Sequence, residues 1–199
     1  MSEPGAGIAA VVLAAGASTR LGKPKQLIEI EGESLLRRTV RLALEAGCAP
    51  VFVVLGCEAE RMRRELEGLA ATPVIHEGWS AGMGSSLRRG MEAVSAMEPQ
   101  PAAALLLVCD QPKLSVDHLQ RLMAGQKAVG GGVTASGYAG RAGVPAIFGR
   151  EFWEELLDLQ GDAGAREVIR RHCEAVRAVP WAEGEVDVDE PGDLARLRG

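Results

Sequence analysis

The chain has 199 residues, of which 47% are hydrophobic and 25% are charged, a composition typical of globular proteins. Asp and Glu outnumber Lys and Arg by 27 to 22, which gives a net charge of −5. This balance excludes a broad basic surface for nucleic acid or for an anionic membrane, so we expect any anion to bind in a local pocket. The length argues for one domain, which we expect to span residues 1–199.

Cysteine usage and the first apolar run both favour a cytoplasmic protein. The four cysteines are widely scattered and form no Cys-x-x-Cys pair, which predicts free thiols. The apolar run at residues 8–17 follows Glu3 and no Lys or Arg, so we interpret it as a buried strand and its loop rather than as a signal peptide. No apolar run approaches the roughly 20 residues that a membrane span needs.

Short apolar runs alternate with amphipathic segments along the chain, which predicts parallel strands joined by right-handed helical crossovers. We predict strands at residues 8–13, 51–55, 73–75, 102–109, 144–148 and 175–179. We predict helices at residues 34–46, 58–66, 85–96, 115–124, about 150–159 and 163–172, and a last short helix from Pro191. The Gly-rich stretch at residues 130–143 predicts a hairpin or flap that interrupts the alternation. The expected fold is therefore a three-layer, Rossmann-like α/β fold with a mostly parallel, mixed sheet.

The loop that follows the first predicted strand has the composition of a phosphate-binding loop. Residues 13–25 read LAAGASTRLGKPK, in which small residues let the backbone approach a ligand and consecutive N–H groups can bind phosphate oxygens. Arg20, Lys23 and Lys25 supply positive charge that suits the roughly four negative charges of a triphosphate. The loop is neither a Walker A nor a Gly-x-Gly-x-x-Gly sequence. A solvated basic turn is the alternative interpretation of the charges alone.

The whole loop resembles the LAxGxSxR(L/M)GxxK signature of the MobA-like nucleotidyltransferases, and the resemblance extends over essentially the entire chain. It implies a nucleotidyltransferase fold in which Arg20 and Lys25 contact the phosphates, with Lys25 as the first choice of cation. The other nucleotide-binding positions that it implies are Leu13, Ala14, Ala15, Gly16, Gly82 and Ser86.

Within this family, the chain resembles the molybdenum cofactor cytidylyltransferase branch, whose members prefer CTP. The resemblance rests on Ala15, where guanylyltransferase relatives more often have Gly, and on the segment WSAGMGSSL at residues 79–87. Simple helix capping is the alternative interpretation of the serines in that segment.

Two acidic segments point to a divalent metal. Asp110 ends the strand predicted at residues 102–109, and residues 187–194 read DVDEPGDL, which resembles the DIDTPEDL ending of the family. Mg²⁺ needs only one or two carboxylates in addition to phosphate oxygens and water. The resemblance implies Asp110 and Asp189 as its ligands, with Asp187 interchangeable with Asp189. Taken alone, Asp110 is equally well explained as a turn residue.

The reaction that the resemblance implies is transfer of CMP from CTP to the phosphate of molybdopterin, with Mg²⁺ as cofactor and pyrophosphate as the second product. A phosphate monoester is already ionised near neutral pH, since its second pKa is about 6, so no protein base is required. Arg20, Lys25 and Asp110 are then the catalytic residues, and they act through charge and position.

The acceptor is expected to bind along two Gly-containing segments, residues 140–148 and 161–166, through Gly143, Pro145, Gly161 and Asp162. Purely structural loops are the alternative for both segments. Whether the protein docks transiently to a molybdoenzyme stays open, and the net charge argues against a nucleic acid or membrane partner. Two rival functions stay open: transfer to a sugar or polyol phosphate, and a non-catalytic molybdopterin carrier.

Overall fold

A computed structural model describes residues 7–18, 22 and 24–187 of the chain. Its strands are β1 Ile8–Ala14, β2 Glu29–Ile30, β3 Glu33–Ser34, β4 Val51–Leu55, β5 Ala71–Ile75, β6 Ala103–Val108, β7 Val133–Tyr138, β8 Arg141–Gly149 and β9 Val176–Pro180. Its α-helices are α1 Leu35–Glu45, α2 Ala59–Arg64, α3 Met83–Ser95, α4 Val116–Val129, α5 Trp153–Leu157 and α6 Ala165–Arg171. The helix predicted from Pro191 lies outside the described residues.

Seven strands form one sheet in the order β5-β4-β1-β6-β8-β7-β9. Strand β8 pairs antiparallel with both of its neighbours, and the other strand pairs are parallel. The predicted α/β class with a mostly parallel, mixed sheet is therefore confirmed. Strand β1 has β4 on one side and β6 on the other, so the order of strands reverses between β1 and β6. In open α/β sheets, the crevice beside such a reversal is where ligands bind.

Two layers of helices cover the sheet because alternate residues of the buried strands face opposite sides. Ala10 and Val12 of β1 belong to one hydrophobic cluster, together with residues of α1 and α4. Ala9 and Val11 belong to a second cluster, together with residues of α3, α5 and α6. The sheet is therefore buried on both faces, as continuous apolar strands predict, and its carboxyl edge is left for function.

Local sequence signals account for several helix ends. The Ser34 side chain accepts a hydrogen bond from the N–H of Arg37 and so caps α1, and Gly47 follows its end with a φ of +97°. Helix α4 continues five residues beyond the predicted end at residue 124, through Gly125, and ends at Gly130 with a φ of +67°. A side chain at position 125 would lie 3.0 Å from the Thr134 methyl group, so this glycine permits close packing on β7 rather than ending the helix.

The Gly-rich stretch at residues 130–143 forms a hairpin that interrupts the strand–helix alternation, as predicted, and this hairpin belongs to the main sheet. Its first arm is β7, which lies between β8 and β9 inside the sheet. The small side chains of Ala135, Ser136 and Gly137 let this strand pack closely on both faces. The same small residues resemble a loop in the sequence. The described residues contain no helix long and apolar enough to cross a bilayer.

Candidate active site

A cavity of about 480 Å³ opens where the carboxyl ends of β1 and β6 meet. Five segments form its walls: the loop after β1, the segment around Lys25, the start of α3 with the residues before it, the end of β6 and the loop that carries Asp162. The lining residues are Leu13, Ala15, Gly16, Ala17, Ser18, Lys25, Gln26, Trp79, Ser80, Gly82, Met83, Ser86, Val108, Cys109, Asp110 and Asp162.

Lys25 and Asp110 meet in this cavity although 85 positions separate them in the chain. The Lys25 Nζ atom donates a hydrogen bond to Asp110 Oδ2 at 2.5 Å. The two side chains are 25% and 19% exposed, so the pair is shielded on most sides and still reaches the cavity. A cation and a carboxylate are thereby held together at the carboxyl ends of β1 and β6, where the order of the strands reverses.

A buried amide holds the loop after β1 in shape. The side chain of Gln26 donates hydrogen bonds from Nε2 to the carbonyl oxygens of Ala14, at 3.1 Å, and Gly16, at 2.8 Å. Its Oε1 atom accepts a hydrogen bond from the hydroxyl of Ser18, and that hydroxyl accepts one from the backbone N–H of Lys25. The amide group of Gln26 and the hydroxyl of Ser18 therefore connect the loop after β1 to the backbone of Lys25.

The residues on either side of Asp110 fix the end of β6. Cys109 is buried beneath the cavity, and burial, with a further contribution from the Asp110 charge, raises the pKa of its thiol well above the usual range. Gln111 is also buried, and its Nε2 atom donates to the carbonyl of Val144 on β8 at 3.0 Å. The Tyr138 hydroxyl donates to the same carbonyl at 3.1 Å. Asp110 thus projects from a strand end that is anchored to the antiparallel strand.

Close backbone packing positions the start of α3. Gly82 has a φ of +104°, and a side chain at this position would collide with the carbonyl of Gly161. That carbonyl accepts a hydrogen bond from the N–H of Gly84 at 2.8 Å. The hydroxyl of Ser85 donates to the Gly82 carbonyl at 2.8 Å. The loop that carries Asp162 is therefore docked onto the first turn of α3, which completes the wall of the cavity.

The Trp79 side chain forms another wall and packs directly against Gly56, in the loop after β4. A side chain on Gly56 would approach Trp79 to 2.6 Å and the Ala15 carbonyl oxygen to 2.8 Å. The Ala15 carbonyl also accepts a hydrogen bond from the N–H of Cys57 at 3.0 Å. Only glycine therefore fits at position 56 between the base of the Trp79 side chain and the Ala15 carbonyl.

Most of the sequence-predicted site residues lie together. Those that line the cavity are Leu13, Ala15, Gly16, Lys25, Gly82, Ser86, Asp110 and Asp162. Ala14 contributes its carbonyl to Gln26, and Gly161 contributes its carbonyl to α3. Gln26 and Gln111 were not predicted as site residues, because an uncharged amide carries no signal until its partners are known.

The remaining predicted residues do not line this cavity or lie outside the described residues. Gly143 packs against the Tyr138 hydroxyl, and the Pro145 carbonyl accepts a hydrogen bond from Ser136 at 2.7 Å. Arg20, Lys23 and Asp189 lie outside the described residues, and Asp187, the last one described, is partly buried.

The described residues fit a magnesium ion that is bound largely by its nucleotide. They contain no group of three or more His, Cys, Asp or Glu side chains that would form a site on its own. Mg²⁺ commonly takes one or two carboxylates and completes its shell with phosphate oxygens and water, which is what Asp110 beside the cavity allows. The protonated thiol of Cys109 is unsuited to this hard cation.

A second cavity, of about 850 Å³, lies beside the β7–β8 hairpin, between α6 and β9. Arg141, Arg166 and Arg170 are among the residues that line it, together with the apolar Ile169 and Val176. The structure therefore separates the predicted acceptor segments, since Asp162 borders the first cavity and Arg141 and Arg166 border the second.

Comparison with known proteins agrees with this architecture. The MobA-like NTP transferase domain model matches residues 10–176. The chain is 31% identical to a nicotine blue oxidoreductase of Paenarthrobacter nicotinovorans, over 96% of both chains. It is 29% identical to a probable molybdenum cofactor guanylyltransferase of Trichormus variabilis, over 96% of this chain and 91% of that relative.

Among solved structures, Rv0371c of Mycobacterium tuberculosis H37Rv superposes with a TM-score of 0.81 and 31% identity, covering 97% of this chain and 98% of that one. A further structure of Rv0371c is a complex with manganese. The family model covers most of the chain and includes the loop after β1, Lys25 and Asp110, and we conclude that the chain belongs to the MobA-like NTP transferase family.

Proposed function

We propose that this protein transfers CMP from CTP to the phosphate of molybdopterin and releases pyrophosphate. The observation that carries the proposal is the contact between Lys25 and Asp110 at 2.5 Å, inside a cavity bordered by the loop after β1. This arrangement offers one cation for a phosphate and one carboxylate for a metal, which are the groups that nucleotidyl transfer requires.

The chemistry needs electrostatic stabilisation more than proton transfer. The acceptor phosphate is already anionic near neutral pH, so it can attack the α-phosphate of CTP without a general base. Charge accumulates on the α-phosphate and on the departing pyrophosphate, and Lys25 lies where it can neutralise that charge. We assign the same role to Arg20.

We propose Mg²⁺ as the cofactor, held by Asp110 and by Asp189 or Asp187. When bound, it supplies positive charge that offsets the phosphate oxygens. The manganese complex of Rv0371c supports divalent metal binding in a relative of this chain. The protein's own contribution is to hold the Asp110 carboxylate rigidly, through the anchored end of β6 and the bond from Gln111 to Val144.

The preference for CTP and the acceptor site are proposals that rest on specific residues. Ala15 lines the cavity at the position where guanylyltransferase relatives more often have Gly, which supports CTP as the donor. We place the acceptor beside Asp162 and Gly161, with Gly143 and Pro145 further along the same edge. The second cavity, with its three bordering arginines, offers room for the part of the acceptor remote from the reacting phosphate.

The free cysteines support a cytoplasmic location, because all four are unpaired, as in proteins of reducing compartments. Molybdopterin would reach the site as a small molecule, and we propose that the product leaves by transient docking to a molybdoenzyme.

One assay separates the proposal from its rivals. Purified protein is incubated with Mg²⁺, each nucleoside triphosphate in turn and either molybdopterin or a panel of sugar and polyol phosphates, and pyrophosphate is measured. CTP with molybdopterin should give the highest rate. Activity only with a sugar or polyol phosphate would change the acceptor, and GTP preference would change the donor. No pyrophosphate with any pair, together with tight molybdopterin binding, would favour the carrier.

A further inference from the structure

Gln26 is a buried polar side chain at the site whose amide nitrogen and oxygen are both hydrogen-bonded. It is 2% exposed, and all of its donor and acceptor groups face the loop after β1. A buried amide of this kind fixes the orientation of the peptide groups that it binds, because leaving either partner unpaired is costly. Gln26 follows Lys25 directly, so the same short segment supplies both a cation and a constraint on the loop.

The hydrogen bonds from Gln26 also determine where the N–H groups of the loop point. In a planar trans peptide, the N–H of one residue points opposite to the carbonyl of the residue before it. Since the carbonyls of Ala14 and Gly16 point to Gln26, the N–H groups of Ala15 and Ala17 point away from it. The Ala15 carbonyl points to the N–H of Cys57, so the N–H of Gly16 points away from Cys57.

Ala15, Gly16 and Ala17, whose N–H groups point away from these partners, all line the cavity. Carbonyl oxygens that turned into the cavity would repel phosphate, whereas N–H groups attract it. We propose that Gln26 is a positioning residue that holds the carbonyls of Ala14 and Gly16 away from the bound triphosphate and directs the intervening N–H groups to it. The inference rests on the proposed function and deepens it, since it assigns recognition of the triphosphate to a residue that is not itself charged.

The test compares CTP with cytidine, because the inference concerns the phosphates and not the base. Dissociation constants for both ligands are measured by calorimetry or NMR titration in wild type and in Gln26→Ala. We expect the affinity for CTP to fall roughly tenfold or more, the scale of losing hydrogen bonds that orient a charged contact. The affinity for cytidine should change less than about twofold, and KM for CTP should rise more than kcat falls.

Gln126 provides a matched control. It is also buried, at 6% exposure, and its Nε2 atom donates to the carbonyls of Gly131, at 3.1 Å, and Gly132, at 3.3 Å, beyond the end of α4. Gln126→Ala removes a buried amide that also donates to two backbone carbonyls but does not line the cavity, so it should alter stability without altering CTP binding. If Gln26→Ala fails to fold, Ser18→Ala removes one bond of the same network and should weaken CTP binding by a smaller factor.

The outcomes distinguish this inference from the proposed function. If wild type binds CTP and both Gln26→Ala and Ser18→Ala bind it equally well, the positioning role is refuted and the proposed function stands. Equal losses for CTP and cytidine would also refute it, because they would indicate general damage to the pocket. If wild type itself binds no nucleoside triphosphate, the proposed function fails first.

Discussion

Substituting Asp110 by Asn should change nucleotide binding and turnover in opposite directions. In the unliganded protein, the Lys25 ammonium group is engaged by the Asp110 carboxylate at 2.5 Å. A triphosphate that recruits Lys25 must weaken this pair and must also accept a carboxylate near its own negative charge. Asp110→Asn removes both penalties, so metal-free CTP should bind more tightly. The same change removes the carboxylate proposed to hold Mg²⁺, so turnover should be lost.

The magnitude follows from the shielding of the pair. Exposed ion pairs contribute about 0.2–1 kcal/mol, and the 25% and 19% exposure of these side chains places this pair near the upper end of that range. Repulsion between a carboxylate and a phosphate charge about 4 Å away adds about 1 kcal/mol in water. A total of roughly 1 to 2 kcal/mol corresponds to about five- to thirtyfold tighter binding of CTP. Turnover with Mg²⁺ should fall by at least about 100-fold.

The assay is calorimetric titration of CTP in EDTA, paired with pyrophosphate release in Mg²⁺. Glu33→Gln is a matched control, because Glu33 is 20% exposed and pairs with Arg41 at 2.8 Å but does not line the cavity. It removes one negative charge and leaves the Lys25–Asp110 pair in place, so neither the affinity for metal-free CTP nor the turnover should change much. Weaker or unchanged binding of metal-free CTP by Asp110→Asn would show that the pair does not restrain Lys25. Turnover at the wild-type rate would remove Asp110 from the metal site.

Two further predictions concern stability. Burial, with a smaller contribution from Arg121, lowers the pKa of His118 from about 6.5 to about 4, so the unfolded chain binds a proton that the folded one excludes. The free energy of unfolding should therefore decrease as the pH falls from 6.5 toward 4. Urea unfolding should show a loss of about 2 kcal/mol at pH 5. If the stability of a His118→Gln variant depended on pH as steeply as that of wild type, this prediction would be contradicted. Gly90→Ala should destabilise the protein by about 1–3 kcal/mol, because the methyl group of the alanine would clash with Val11 and Val54. An unchanged free energy of urea unfolding would show that α3 can shift to accommodate this methyl group.

Much of the fold could be predicted because its signals are local. Buried parallel strands such as β1 and β6 are continuous apolar runs, and the Ser34 cap and Gly47 mark the ends of α1. The two-residue strands β2 and β3 were not predicted, because two residues carry no periodicity. Strand β7 was predicted only as part of a hairpin or flap, without its bounds, because small residues packed closely inside a sheet resemble a loop in sequence.

The part of the site that consists of charged residues and of loops at strand ends could be predicted from the sequence. The rule that ligands bind beyond the carboxyl ends of strands directed attention to the loop after β1 and to Asp110, and the structure brings Asp110 to Lys25. The amide groups of Gln26 and Gln111 were missed, because their role depends on carbonyl directions that no sequence pattern records. The assignments of Arg20 and Asp189 stay predictions, as both residues lie outside the described part of the chain.

The packing of Gly56 beneath Trp79 makes one wall of the cavity depend on a residue outside it. Even one methyl group at position 56 would force the indole ring to move, since the Ala15 carbonyl blocks the other direction. A displaced indole would change the shape of the cavity that Trp79 lines, although position 56 does not itself line that cavity.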